Sequence, residues 1–161
     1  MGLDETRIFE ECHDPRTPGS IRIDIDEKPQ TSYLAIAKAI SGAAEHADAW
    51  LLITEYGIWP SRQNLHLYYA LRRAYGDMRM LGEAPVHQFL SYERAELVTF
   101  LHLALLFGWG GRVITNPSWT SVTFSHDRWM VLSVEHGRDA IVKRFADIGV
   151  RLEVRASQRM Q

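Results

Sequence analysis

Cysteine is nearly absent from this sequence, since Cys12 is the only one among 161 residues. A single cysteine cannot form an internal disulfide, which argues against a secreted disulfide scaffold and fits a reducing compartment. Long apolar runs are also missing: the longest, 97–109, is interrupted by His102 and is too short to cross a bilayer. The N-terminus is acidic and lacks the apolar core of a signal peptide. We therefore expect a cytoplasmic protein that makes no membrane contact.

Neither charge is in large excess, because 18 lysines and arginines stand against 20 aspartates and glutamates. Binding to a nucleic acid backbone depends on a basic surface that releases counterions, so this balance argues against a nucleic acid partner. The basic residues are concentrated after residue 50, where thirteen of them accompany ten acids. A local basic patch is therefore still compatible with the sequence.

Motifs of the common cofactor and metal sites are missing as well. The sequence contains no GxGxxG or GxxxxGK[ST] loop for phosphates, no GxSxG and no HExxH. The segment 11–14, ECHD, offers possible metal ligands, but zinc sites normally draw their ligands from two spaced pairs and no second pair is present. We expect no cofactor and no metal, and we lean toward a protein that is not an enzyme.

What the sequence does contain is the composition of a folded domain, with 46% apolar and 24% charged residues and no linker. Residues 1–19, rich in charge, proline and glycine, predict an irregular arm; 20–155 predict a single α/β domain; and 156–161 predict a flexible tail. Strand-like and helix-like periodicities alternate along the domain. They predict an α/β fold, with α+β as the alternative: a mixed β-sheet of about five to six strands layered with about four helices, ending in an antiparallel hairpin and a helix.

Local patterns place the first elements of this domain. Isoleucine alternates with charged residues over 20–26, which predicts a strand, and the apolar run 49–53 predicts an inner strand covered on both faces. Thr31 or Ser32 is positioned to cap the helix between these strands, and Ser91 to cap a later helix.

The segment 125–127, SHD, combines the residue types of a hydrolytic triad, but adjacent residues cannot adopt the geometry of a triad. Its composition instead favours a hairpin turn at His126 and Asp127. His126 could still act as a single acid or base at the tip of the hairpin. The turn predicts two cross-strand pairs on one face: Phe124 with Trp129, and Val122 with Val131.

The segment 55–61, EYGIWPS, follows the predicted inner strand, and Pro60 ends that strand before the next helix. Glu55 and Tyr56 then lie at the carboxyl end of a strand, where ligands of α/β sheets often bind. A carboxylate next to aromatic side chains can serve as a proton donor or acceptor. The alternative is that Glu55 faces water or an arginine while Tyr56 and Trp59 complete the core.

The helix predicted over 62–75 has two faces. The inward face is predicted to hold Leu67, Tyr68, Leu71, Ala74 and Tyr75. The opposite side carries a polar stripe: Arg62, His66, Tyr69 and Arg73. The planar guanidinium groups of the arginines and the amphipathic rings of His66 and Tyr69 are suited to contact a carboxylate, a phosphate or an acidic protein surface. The alternative is an ordinary solvated helix face.

Two functions are compatible with these features. The first is a non-catalytic, bacterial-type cytoplasmic protein that recognises another protein, as an immunity or antitoxin-like protein recognises a toxin, or that serves as a regulatory adaptor. The second is a small-metabolite enzyme in which Glu55 is the acid or base and Arg62, His66 and Arg73 hold an anionic substrate. The five tryptophans and six tyrosines fit a homodimer interface as well as core packing. The candidate binding residues are Glu55, Tyr56, Trp59, Arg62, His66, Tyr69, Arg73 and His126.

Overall fold

The computed structural model describes residues 20–25, 32–43, 47–56, 64–116, 120–134 and 137–154. Within these ranges the chain forms four α-helices and one seven-stranded β-sheet. In chain order the elements are β1 (Ile21–Asp24), α1 (Tyr33–Ala43), β2 (Asp48–Glu55), α2 (Leu65–Ala74), β3 (Val86–Phe89), α3 (Arg94–Leu106), β4 (Gly110–Asn116), β5 (Thr120–Phe124), β6 (Trp129–Val134), α4 (Arg138–Asp147) and β7 (Arg151–Val154).

Every pair of neighbouring strands is antiparallel, in the order β3-β2-β4-β5-β6-β1-β7. The fold class is therefore confirmed in its α+β form, but the described sheet is antiparallel throughout and not mixed, and its strands number seven rather than five to six. Helices α1, α3 and α4 do connect strands that run in the same direction, as helical crossovers require. At least one other strand lies between the two strands of each such connection, so no parallel pair forms.

The four helices cover one face of the sheet, and the main hydrophobic core lies between the two layers. Alternate strand residues such as Ile23, Leu51 and Val122 point into this core, as the period of a strand requires. Phe100 of α3 and Phe145 of α4 enter it from the helices. Buried apolar side chains also lie on the opposite face of the sheet: Trp50, Val86, Ile114 and Val131. Strand β2 is thus an inner strand buried on both faces, which confirms the prediction from 49–53.

Helix ends follow the sequence signals in part. Ser32 begins α1 as predicted, because its Oγ accepts a hydrogen bond from the Leu34 N–H at 3.2 Å. Gly76 adopts a φ of +83° just after α2, a conformation that glycine favours at helix ends. Ser91 does not cap α3, which begins further along the chain. The Ser91 N–H instead donates to Asp48 Oδ1 at 2.9 Å and ties the β3–α3 loop to the start of β2.

The β5–β6 hairpin is present, but its register differs from the prediction. Arg128 has a φ of +62° and its N–H donates to the Ser125 carbonyl at 3.1 Å, the pattern of a three-residue loop over 126–128. This loop shifts the pairing by one residue, and such a shift turns a strand's side chains to the other face. The predicted pairs are therefore wrong: Phe124 lies opposite Met130 and not Trp129, and Val122 lies opposite Leu132 and not Val131.

Several predictions fall outside the described residues. They concern the arm 1–19 with its ECHD segment, the tail 156–161, the alternative cap Thr31 and the candidate residues Trp59 and Arg62. Among the helices that the structure describes, none is long and apolar enough to cross a membrane.

Candidate functional site

Glu55 and His126 meet at one end of the sheet, although they are 71 positions apart in the chain. Glu55 is the last residue of β2, His126 follows β5, and β4 lies between these two strands. Glu55 Oε2 lies 2.7 Å from His126 Nδ1. Both residues are candidates from the sequence, but their pairing depends on the strand order, which the sequence pattern does not contain.

Two local features let Glu55 reach across β4. The register between β2 and β4 shifts between Ile53 and Glu55, so that Glu55 lies opposite Gly110. A Cβ atom at Gly110 would lie 2.8 Å from Glu55 Cδ and would collide with its carboxylate oxygen. The contact with His126 therefore depends on a residue without a side chain at this position of β4.

Carboxylates contact both ring nitrogens of His126. While Nδ1 faces Glu55, Nε2 lies 3.2 Å from Asp127 Oδ1. The His126 side chain is 19% exposed, whereas those of Glu55 and Asp127 are 42% and 63% exposed. The two carboxylates hold the imidazole ring between them, and another molecule could reach Nε2 only after the more exposed Asp127 turned away.

His126 also lines a shallow depression next to the sheet. Its cavity volume is only about 10 Å³, about the room for one water molecule. Small-molecule sites are usually enclosed clefts of about 300–1,000 Å³ that bury most of the ligand. This depression is therefore too small to enclose a metabolite. Its other lining residues include Tyr33, Leu105, Trp109 and Arg128.

Helix α2 is rotated relative to the predicted orientation. Its buried residues are Tyr68 and Arg72, although Arg72 was not among the predicted inward residues. Leu67 and Tyr75, both predicted to face inward, are 41% and 46% exposed, and Ala74 is exposed as well. The ring of Tyr68 fixes this orientation by packing edge-on against aromatic rings of α3 and of the α3–β4 segment.

The predicted polar stripe is only partly on the surface. His66 and Arg73 are exposed, as predicted, and Tyr56 at the end of β2 is 43% exposed. Tyr69 is half-buried, and its hydroxyl accepts a hydrogen bond from the Leu81 N–H at 3.2 Å. Tyr69 therefore anchors the α2–β3 connection and does not belong to a solvent-facing stripe.

Arg72 is fully buried and only partly paired. Its Nη2 donates to Asp77, which also accepts hydrogen bonds from Arg79 Nε at 3.0 Å and Nη2 at 3.2 Å. The bonds from Arg79, and then that from Arg72, hold the pKa of the Asp77 carboxyl well below its usual range against the opposing effect of burial. Within the described chain, Arg72 Nε, Arg72 Nη1 and the Tyr68 hydroxyl have no hydrogen-bond partner. Such unpaired buried groups cost about 1–3 kcal/mol each.

His87 of β3 lies in an aromatic cluster. Its ring stacks on Phe100, with centroids 4.9 Å apart and an angle of 20° between the planes. Phe89 and Tyr75 flank it at 4.6 Å and 6.3 Å. Burial lowers the pKa of His87, and the nearby Arg72 guanidinium lowers it further. The imidazole is therefore neutral at neutral pH.

Large apolar side chains are exposed in the chain segments before and after β3, which is one edge strand of the sheet. Single exposed apolar residues are ordinary, but five in these two segments make the region a candidate interaction surface. The group, called here the β3-edge surface, consists of Tyr75 (46% exposed), Met78 (68%), Met80 (51%), Leu90 (37%) and Tyr92 (78%).

No family model, curated protein or solved structure matches the chain. In the part of the chain that the structure describes, no group of three or more His, Cys, Asp or Glu residues could hold a metal ion. Three features of the described residues are therefore candidates for function: the Glu55–His126 pair, the exposed side of α2 and the β3-edge surface.

Proposed function

We propose that this chain is a non-catalytic, bacterial-type protein that acts in the cytoplasm by recognising another protein, as an immunity or antitoxin-like protein or a regulatory adaptor does. The observation that carries the proposal is the orientation of α2, which buries Arg72 completely and leaves Leu67 41% exposed. Burial of a leucine side chain stabilises a fold by about 1.5–3 kcal/mol, whereas burial of an incompletely paired charge is costly. An apolar side chain exposed in this way fits a contact with a partner.

The composition of the exposed side of α2 supports a protein partner. We call this side the α2 outer face and define it as His66, Leu67, Ala70 and Arg73, all exposed. Protein interfaces commonly place an apolar centre within a polar rim, and arginine is enriched among the residues that dominate binding. Arg73 fits an acidic group on the partner. A nucleic acid backbone is a poorer fit, because the chain carries a net charge of −2.

Site-specific photo-crosslinking tests this proposal. Benzoyl-phenylalanine replaces Leu67 in the tagged full chain in one sample and Thr99, an exposed residue on α3, in the other. We expect one discrete protein adduct from position 67 and none from position 99. Identical adducts from both positions, or none from position 67, would contradict recognition through the α2 outer face.

Charge substitutions then measure the contribution of this face once the adduct has been identified. Arg73→Glu is expected to weaken binding of the purified partner at least about tenfold, which corresponds to about 1.4 kcal/mol. Lys38→Glu changes an exposed basic residue on α1 by the same amount of charge and should leave the affinity unchanged. Equal effects of the two substitutions would indicate nonspecific electrostatic attraction.

The Glu55–His126 hydrogen bond favours a second candidate function, a small-metabolite enzyme. A carboxylate that orients a histidine is typical of general acid–base sites. In this alternative Glu55 is the acid or base, and Arg62, His66 and Arg73 hold an anionic substrate. It ranks second because Asp127 contacts the other ring nitrogen and the adjacent depression is too small to hold a metabolite.

Mass spectrometry of the chain incubated with a mixture of small carboxylates and phosphate esters tests the enzyme alternative. Glu55→Gln should abolish any conversion that the wild-type chain carries out. Asp139→Asn, a change at an exposed residue of α4, should preserve it. Conversion that survives Glu55→Gln, or no conversion by the wild-type chain, would count against the alternative.

A further inference from the structure

The sheet face that points away from the helices is buried at its centre. Ile114 of β4 is 0% exposed and Val131 of β6 is 4% exposed, although antiparallel sheets commonly leave one face to water. The strand register places both side chains on this face, called here the outer sheet face. On the inner strands β2, β4, β5 and β6 it includes Trp50, Leu52, Arg112, Ile114, Ser121, Thr123, Trp129, Val131 and Ser133.

No described segment outside the sheet accounts for this burial. The four helices pack on the opposite face, and none of the outer-face residues belongs to the main core. Across the sheet, Ile114 lies between Trp50 and Ser121, and a serine is too small to shield an isoleucine from water. The longest described connection, 75–85, is tied to α2 on the helix side by the Tyr69–Leu81 hydrogen bond. Because the burial arises within one chain, the cover belongs to a part of this chain outside the described ranges.

The arm 1–19 fits this cover better than the other segments outside the described ranges. Segment 26–31 contains no large apolar residue, and 155–161 contains one. Segment 57–63 contains two, but it leads into α2 on the opposite face. The arm contains four: Met1, Leu3, Ile8 and Phe9. The remaining segments have two or three residues each, too few to cover side chains of both β4 and β6: 44–46, 117–119 and 135–136.

The position of Ser20 gives the arm a route across this face. Ser20 is 2% exposed and directly precedes β1, whose Ile21 pairs with Leu132 of β6. β4 is three strands away from β1, a distance of about 14 Å at the usual strand spacing. A segment of the length of the arm spans about 28 Å even as a helix, and more when it is extended. The arm is therefore long enough to cross the face as far as β2.

The charge of the arm suits the same face. Residues 1–19 contain five acids and two arginines. Arg112 is the one charged side chain that the described strands β4, β5 and β6 direct to the outer sheet face, and it is half-buried. Its Nε donates a hydrogen bond to Ser121 Oγ at 2.9 Å. Buried guanidinium groups are commonly paired with carboxylates, so an acidic segment fits this position better than a basic one.

We propose that the arm 1–19 docks on the outer sheet face of its own chain, with Ile8 and Phe9 packed over the apolar centre of that face and with acidic residues toward Arg112. The sheet then lies between two layers, with the helices on one side and the arm on the other. The arm is thus an integral part of the fold and not a free extension. The α2 outer face lies on the other side of the sheet, so the proposal does not depend on the proposed function.

Photo-crosslinking within the full chain tests the docking. Benzoyl-phenylalanine replaces Phe9 in one sample and Tyr92, a 78% exposed aromatic residue next to β3, in the matched control. After irradiation, we expect tandem mass spectrometry to find adducts from position 9 on outer-face residues of β2, β4 or β6 of the same chain. Position 92 should give no adduct there. Adducts from position 9 on a helix, adducts only between two chains, or no adducts would each overturn the proposal.

Urea unfolding gives a second measurement that does not depend on crosslinking chemistry. Phe9→Ala should raise the equilibrium constant for unfolding at least about tenfold, because truncation of a buried phenylalanine removes its packing against the sheet. Tyr92→Ala removes an exposed ring of similar size and should change this constant less than about threefold. Loss of the folded state in Phe9→Ala alone would also support the docking. Equal stability of Phe9→Ala and the wild-type chain would show that Phe9 is not packed on the sheet and would overturn the proposal.

Discussion

Tyr68 and Tyr69 are neighbours in the chain, yet their hydroxyl groups lie in opposite environments. The Tyr68 hydroxyl is buried without a hydrogen-bond partner among the described residues, whereas the Tyr69 hydroxyl accepts the Leu81 N–H. Tyr68→Phe should therefore raise the free energy of unfolding by about 1 kcal/mol, and Tyr69→Phe should lower it by about 1 kcal/mol. Urea denaturation at pH 8 measures both changes. A decrease in both variants would show that the Tyr68 hydroxyl has a partner.

The orientation of α2 shows what can be predicted for single residues from the sequence. Hydropathy placed His66 and Arg73 on the outer side correctly, because polar residues at this spacing share one face. It placed Leu67 inside wrongly, because a helical hydropathy pattern treats every arginine as a surface residue. The pattern cannot represent a guanidinium that is buried together with its own carboxylate partner. That carboxylate, Asp77, lies just beyond the helix. Pairs of this kind depend on the path of the chain after the helix, which periodicity does not contain.

Gly110 and Gly111 are adjacent at the start of β4 but have different neighbours. A Cβ atom at Gly111 would collide with the Leu52 carbonyl oxygen and lie 2.8 Å from Cζ of Phe124, whereas at Gly110 it would meet the flexible Glu55 side chain. Gly111→Ala should therefore cost about 3 kcal/mol of stability, since backbone and core must move. Gly110→Ala should cost only about 1 kcal/mol, through loss of the Glu55–His126 bond. Urea unfolding of both variants measures the difference.

A double-mutant cycle tests the cause assigned to Gly110. In the Glu55→Gly background the carboxylate and also the Cβ atom, which would lie 3.0 Å from a Cβ at Gly110, are already absent, so Gly110→Ala should have almost no further effect. Gly111→Ala should remain as destabilising in that background as in the wild-type chain. A full additive cost of Gly110→Ala without Glu55 would show that the backbone of β4, and not the carboxylate, opposes a side chain there.

The β4–β6 region shows which features of the helices and strands can be predicted from the sequence. The helices and strands follow from periodicity, from the Ser32 cap and from Gly76, which are local signals. The hairpin register failed by one residue because a left-handed Arg128 has no clear signature, in contrast to glycine at such positions. Prediction of the Glu55–His126 pair would also have required the strand order, which no local sequence pattern contains.

At the scale of the whole molecule, the connections by helices were predictable but the neighbours of each strand were not. A helix between two strands indicates that they run in the same direction, and α1, α3 and α4 obey this rule. Whether a third strand inserts between them depends on the burial of complementary faces across the entire sheet. The exposed groups of the β3-edge surface were missed for a related reason: edge and inner positions are properties of the assembled sheet.

The cluster that joins α2, β3 and α3 predicts the dependence of stability on pH. The pKa of His87 is lowered in the folded chain, mainly by burial, so below about 6.5 the unfolded chain binds a proton that the folded chain does not. Stability should therefore fall as the pH drops from about 6.5 toward the lower folded pKa. The pKa of Asp77 is also lowered, so its contribution is present above about 3.9 and is lost below that value.

Free energies of unfolding measured in urea between pH 3 and pH 8 separate these two phases. His87→Phe keeps the aromatic contact with Phe100 but cannot be protonated, so the loss of stability that begins near pH 6.5 should become smaller. Asp77→Asn should reduce only the phase below about pH 4, because the amide does not titrate there. His66→Gln, at an exposed histidine, should leave both phases unchanged. A His87→Phe profile parallel to that of the wild-type chain would mean that the buried imidazole contributes nothing to acid sensitivity, and the decline would then have to arise from the other histidines.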